Sequence, residues 1–176
     1  MDLRSVALGQ HGGLNMWVYE KKLQYPINIK QTNPKLAKII ISQYGGPDGE
    51  LSASLRYLSQ RYTVPYPEIK AVLTDIGTEE LGHLEMVGTI VYQLTKDLTI
   101  DEIKAQGFED YFVDHTAGIY PAGSNGMPFS AAALQVKGDL ITDIHEDMAA
   151  DGAYLYRQSL FRYSIPYFVL FFFCEL

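Results

Sequence analysis

The stretch GTEELGHLEMVG, residues 77–88, decides how the rest of the chain is read. It places Glu80 and His83 three apart in a run with helical spacing, beside a second acid, Glu79. On a helix such positions share a face, with Cβ atoms about 5–6 Å apart. A carboxylate oxygen and an imidazole nitrogen so placed can meet on one ion at about 2.0–2.2 Å. The register predicts burial. Ile69, Val72, Leu73, Ile76, Glu80, His83, Val87, Ile90, Val91 and Leu94 share one stripe of a helix predicted over 67–96. A buried carboxylate without a partner costs several kcal/mol, so it is normally paired or metal-bound. Gly77 and Gly82 flank the pair. Each costs about 1 kcal/mol in a helix interior, which predicts that something packs close there. In a chain with 21 acids and 4 histidines, the Glu-x-x-His spacing also arises by chance, so by itself it does not establish a metal.

Working outward, Asn33-Pro34 is a helix start, because Asn can cap and Pro suits the first turn. Leu36, Ile39 and Ile40 follow at helical spacing. GGPDG at 45–49 reads as a helix end, and ELSASLRYLSQRY at 50–62 resumes the pattern with Leu51, Leu55 and Leu58 on one stripe. Thr99 and Glu102 have capping-box spacing ahead of a short helix. Residues 107–129, rich in Gly, Pro, Tyr and Asn, read as a long functional or interface loop. A further helix is predicted over about 130–160, with Ala133, Val136, Leu140, Ile144, Met148 and Tyr154 or Leu155 on its inner face. Residues 16–30 look extended, and 1–15 a loose arm. The tail, 161–176, is aromatic, nearly uncharged and interrupted by Pro166. Few strand signals and three long amphipathic helices indicate an all-α bundle. Its usual fourth helix is missing or replaced by the tail.

Composition bounds the function. A chain of 176 residues suits one domain with a proper core. A net charge of -7 argues against a nucleic-acid surface. The lone Cys174 rules out an internal disulfide and fits a reducing compartment. The N-terminus lacks a signal-peptide layout. The longest apolar run, FVLFFFC at 168–174, is far shorter than the roughly 20 residues a membrane span needs.

Two further acids are candidates for the Glu80/His83 pair. Glu50 follows GGPDG and precedes Leu51; taken singly it is an ordinary first-turn acid. Asp151 lies three after Met148 and is, taken singly, a surface acid. His145 lies six positions before Asp151, about 120° away around a helix, and is a weaker candidate. His11 falls in the arm. His115 falls in the long loop and suits loop hydrogen bonding better than ligation.

Together QYGGPDGELSASLRYLSQRY (43–62), LTDIGTEELGHLEMVG (73–88), YFVDHTAGIYPAG (111–123) and QVKGDLITDIHEDMAA (135–150) resemble the manganese catalase family, and within it the spore-coat catalase-like branch. The resemblance runs from Met16 to about Ala150. It implies an all-α, ferritin-like four-helix bundle holding two manganese ions. Carried over, it implies Glu50 as a terminal ligand, Glu80 as a bridging ligand, His83 as an imidazole ligand, and Asp151 in the place of a ligand Glu on a later helix. It implies disproportionation of hydrogen peroxide to oxygen and water, with iron as the alternative metal. It also implies a homo-oligomer, a cytoplasmic or spore-coat location, and spore-coat proteins as partners in a non-enzymatic structural alternative. No nucleic acid and no membrane is expected as partner. Finally, it implies that the first helix continues through GGPDG with a local distortion.

The chain departs from the family pattern in three places. Asp at 151 shortens the ligand arm by one C–C bond, about 1.5 Å. The family continues with a helix carrying a last His ligand, but no His follows His145 here, and residues 151–176 read as though from a shifted frame. Residues 1–15 precede the resemblance and read as translated leader before a start at Met16. The expected organisation is therefore an arm over 1–15, a ferritin-like domain over 16–160 and a divergent tail over 161–176. With one ligand helix lacking, weak or no catalysis is expected, with two, one or no ions bound.

Overall fold

The computed structural model describes residues 22–107 and 119–161, and for 151 and 153–161 the backbone alone. The leader, His11, His115 and the tail beyond 161 lie outside the described residues.

Helix α1 (Pro34–Gly45) begins where Asn33-Pro34 predicts. Asn33 Oδ1 accepts a hydrogen bond from the Leu36 N–H at 3.1 Å, and Pro34 fills a first-turn position where no N–H is needed. Leu36, Ala37, Ile40 and Ile41 turn inward, while Ile39 lies outside at 51% exposure. The GGPDG segment ends the helix, as its composition suggests, and the expected continuous helix is not formed. Gly46 and Gly49 both adopt extended backbone, and α2 (Glu50–Gln60) starts afresh at Glu50.

The inward face of α2 differs from the predicted leucine stripe. Ser52, Ser54, Arg56, Tyr57 and Gln60 are buried, whereas Leu51, Leu55 and Leu58 are half-buried. Small polar side chains allow α2 to lie close against α3 (Pro67–Thr95). Ser54 Oγ donates to the Gly77 carbonyl at 2.6 Å. A Cβ on Gly77 would sit 2.9 Å from Leu58 Cγ and 3.1 Å from Tyr57 Cβ.

Helix α3 carries the predicted stripe. Leu73, Glu80, His83, Val87, Ile90, Val91 and Leu94 are buried, and Val72 is the exception at 55% exposure. The main core joins Leu36, Ala37, Ile40 and Ile41 of α1 to Val87, Ile90, Val91 and Leu94 of α3. Ile103 of α4 (Ile100–Ala105) and Ala122 close it. The capping box between Thr99 and Glu102 forms as predicted. A second cluster, Tyr57, Val64 and Leu73, sits at the other end.

Residues 22–30 form neither helix nor strand, with bends at Lys22, Gln24 and Tyr25, and lie against α3. The Gln93 side chain clasps them at both amide atoms: Ile29 N–H donates to its Oε1 at 2.6 Å, and its Nε2 donates to the Ile27 carbonyl at 2.9 Å. Beyond 118, the loop folds back so that Pro121 and Ala122 lie on Gly45, where a Cβ would fall 2.2 Å from their backbone. Ala122 and Pro128 form an isolated antiparallel bridge.

The last helix begins later than predicted. Residues 131–133 form a 3-10 turn, and α5 runs Leu140–Phe161. Asp139 caps it, accepting from the Thr142 N–H at 2.9 Å. Ala133 and Met148, expected inside, are exposed, Met148 at 65%. Asp143 and Asp147 face inward instead, at 2% and 6% exposure. Asp143 accepts from the Lys137 and Gly138 N–H groups at 2.7 and 3.0 Å, and Gln60 Nε2 of α2 donates to Asp147 Oδ1 at 2.8 Å. Among the described residues, α3 spans 29 residues and α5 spans 22.

Candidate metal centre

Two facts of local structure bring three ligands to one place. On α3, the i, i+3 relation of Glu80 and His83 is closed by a hydrogen bond between His83 Nδ1 and Glu80 Oε2, 2.8 Å long. On α2, the new start at residue 50 makes Glu50 the first helical residue and turns it inward. Its Oε2 lies 3.9 Å from the same His83 Nδ1. All three side chains are buried, with Glu50 at 4%, Glu80 at 6% and His83 at 9% exposure. One ligand atom from each falls within 4.8 Å of the other two.

Electrostatics keep Glu80 ionised. Burial is the strongest single influence on its carboxyl and pushes the pKa upward. Hydrogen bonds from His83 and Glu50, and the charge of His83, together outweigh burial and hold the carboxyl below its ordinary value. Glu50 and Glu80 each bring a carboxyl oxygen within 4.8 Å of the other, and two carboxylates so close do not both stay charged without cost. A cation between them would remove that cost and satisfy the same oxygens. The donor set, two carboxylates and one imidazole sealed from water, fits a divalent first-row metal.

The sequence prediction named Glu50, Glu80, His83 and Asp151. The first three converge. Asp151 lies within α5, but its side chain is outside the described residues. His145 is exposed. Sequence reasoning missed the buried carboxylates Asp143 and Asp147, which share a face four residues apart. The Asp139-x-x-Thr142 cap was the available signal that α5 starts there, and hence that Asp143 and Asp147 point inward.

A helical bundle with a buried carboxylate–histidine cluster between its helices is the arrangement by which ferritin-like proteins hold metal ions. Residues 16–163 match the family described as manganese containing catalase, a match that extends past Ala150. The chain belongs to that family. It is 54% identical over 136 residues to Protein CotJC of Bacillus subtilis (strain 168), covering 77% of this chain and 71% of that protein. It is 33% identical over 153 residues to a probable manganese catalase of Clostridium acetobutylicum, covering 81% of this chain and 67% of that one. Wild-type KatB, a manganese catalase from Anabaena of known crystal structure, superimposes with a TM-score of 0.73 at 32% identity, over 86% of this chain and 68% of KatB. Among the described residues no helix is long and apolar enough to cross a membrane.

Proposed function

We propose that this chain binds manganese at Glu50, Glu80 and His83, with Asp151 as a further ligand, and disproportionates hydrogen peroxide. The convergence of three buried ligand atoms within 4.8 Å carries this reading, and family membership supplies the metal and the reaction. Manganese bound there supplies redox capacity for the balanced reaction, in which two hydrogen peroxide molecules give one oxygen and two waters. Glu80 would hold the metal through its carboxylate, and its lowered pKa keeps the oxygens available. His83 Nδ1, facing both carboxylates, would enter the coordination sphere once its bond to Glu80 is given up. Glu50 would donate from the start of α2, where the positive end of the helix favours its ionised form. Burial limits the water that competes for the ligands. One or two ions are consistent with the ligands named, and iron is the alternative metal.

A non-enzymatic role is the second reading, in a spore coat and through a homo-oligomer. The spore-coat-like sequence pattern favours it, as does the way residues 22–30 and 121–122 are fastened onto α3 and α1. Metal analysis of the purified full chain, with oxygen evolution measured on adding peroxide, separates the readings. Manganese with oxygen release supports the first, absence of metal the second, and iron without oxygen release excludes both in favour of a di-iron oxidoreductase.

A further inference from the structure

Glu50 reaches its partners only because α1 and α2 are separated by a turn of defined shape, and two buried side chains of α2 grip that turn. Ser52 Oγ donates to the Gly46 carbonyl at 2.7 Å. One helical turn on, Arg56 Nη2 donates to the next carbonyl, Pro47, at 3.2 Å and lies 4.0 Å from Asp48 Oδ1. Ser52 is 0% and Arg56 3% exposed. The backbone contributes one bond inside the turn, Gly49 N–H to the Gly46 carbonyl at 3.1 Å. The cap position of α2 offers no side-chain alternative. Gly49 has none, and a Cβ there would fall 2.7–2.9 Å from the backbone of Ser42 and Gln43. Glu50 is the next residue, so the direction of its side chain follows from the turn.

Arg56 is badly placed for stability. Its guanidinium is desolvated, its Nε is buried without a hydrogen-bond partner, and the carboxylate it faces is at the limit of ion pairing and 28% exposed. Replacing a whole buried ion pair by apolar groups is often neutral or stabilising, and here the carboxylate partner keeps contact with water, so losing the guanidinium strands no buried charge. What the fork does supply is geometry, because it pins the Pro47–Asp48 carbonyl edge to a fixed point on α2. We propose that Arg56, assisted by Ser52, is a positioning residue for the metal centre: it holds the 46–49 turn so that the Glu50 carboxylate meets Glu80 and His83. Arg56 acts through the turn and is not assigned a contact with metal or substrate. The role rests on the reading of these three residues as a metal centre.

The test uses the full chain, wild type, Glu50→Gln, Arg56→Met and Arg56→Lys, titrated with Mn(II) and separately with Co(II). Arg56→Met keeps the apolar stem and removes the fork. Its Mn(II) affinity falls about 10- to 100-fold, the range for outer-shell partners of metal ligands, and its Co(II) visible spectrum changes in shape. Its metal-free unfolding temperature stays level or rises. Arg56→Lys, a point charge without the fork, recovers only part of the affinity. Wild-type affinity and spectrum in Arg56→Met overturn the positioning role, as does an affinity loss matched by a fall in metal-free unfolding temperature. If wild type takes up neither metal, or Glu50→Gln binds as wild type does, the metal-centre reading fails and the positioning role falls with it. If wild type and Glu50→Gln behave as expected and Arg56→Met does not, only the positioning role falls.

Discussion

Two carboxyls, Glu50 and Glu80, lie buried with oxygens within 4.8 Å of each other. Like charges so placed disfavour joint ionisation, and the protein carries that cost in the metal-free state. Functional sites commonly hold such a cost at the expense of stability. Glu50→Gln puts a neutral amide of the same shape in place of one carboxyl and supplies a donor toward Glu80. The metal-free variant is therefore expected to unfold later than wild type, by about 1–2 kcal/mol, or about 2–8 °C for a chain of this length. Calorimetry of both proteins in chelator checks it, and an unchanged or lower unfolding temperature counts against the site. At this scale Glu80 and His83 were legible because their proximity is local, fixed by helix geometry alone. Gly77 was legible too, since only close packing explains glycine there, and Leu58 and Tyr57 supply it. Glu50 was legible by family resemblance but not by pattern. Its approach to His83 depends on a turn whose shape is set by Ser52 and Arg56, which read as ordinary helix-surface residues.

The errors among the elements share a cause. Ala133, Val136, Leu140 and Ile144 have helical spacing, yet the chain between them is held by other bonds. Gly138 takes φ +77, the left-handed region that interrupts a helix, and Asp143 captures the Lys137 and Gly138 N–H groups. Periodicity cannot see a side chain reaching back over a loop. The leucine stripe of α2 failed for a related reason, because α2 meets α3 through Ser54 and Tyr57 as well as Leu58, and Leu51 and Leu55 stay only half-buried. Gly77→Ala is expected to destabilise the fold by up to about 2 kcal/mol. The expected overpacking cost of about 1–3 kcal/mol exceeds the helix propensity gained, about 1 kcal/mol. A denaturant midpoint equal to or above wild type would refute the close approach of α2 and α3. The start of α5 gives a pH test. Asp139 is held below its ordinary pKa by hydrogen bonds from the backbone and then the hydroxyl of Thr142. A depressed carboxylate stabilises the fold above its unfolded pKa, about 3.9, and the stabilisation is lost as pH falls through the folded value. Asp139→Asn retains the acceptor but does not titrate. The stability difference between wild type and Asp139→Asn is expected to shrink as pH drops from about 5 to about 3. Urea midpoints across that range would show it, and a difference independent of pH would remove Asp139 from the account.

For the molecule as a whole, the candidate metal centre lies between separately built walls. α2 brings Glu50, α3 brings Glu80 and His83, and Gln60–Asp147 ties α5 to α2. An ion held by two walls binds the folded state and not the unfolded chain, so occupancy must appear as stability. At a free concentration 100 times Kd the gain is about 2.7 kcal/mol, or about 5–11 °C for a chain of this size. Manganese is expected to raise the unfolding temperature of wild type by that order and chelator to reverse it. Glu50→Gln should respond far less, although it starts from a higher metal-free value, so the two stability curves cross as manganese rises. The crossing is more discriminating than either shift alone. A general salt effect moves both proteins together, and a manganese site elsewhere on the acidic surface leaves their order unchanged. Parallel curves would therefore place manganese away from Glu50, whatever the size of the shift.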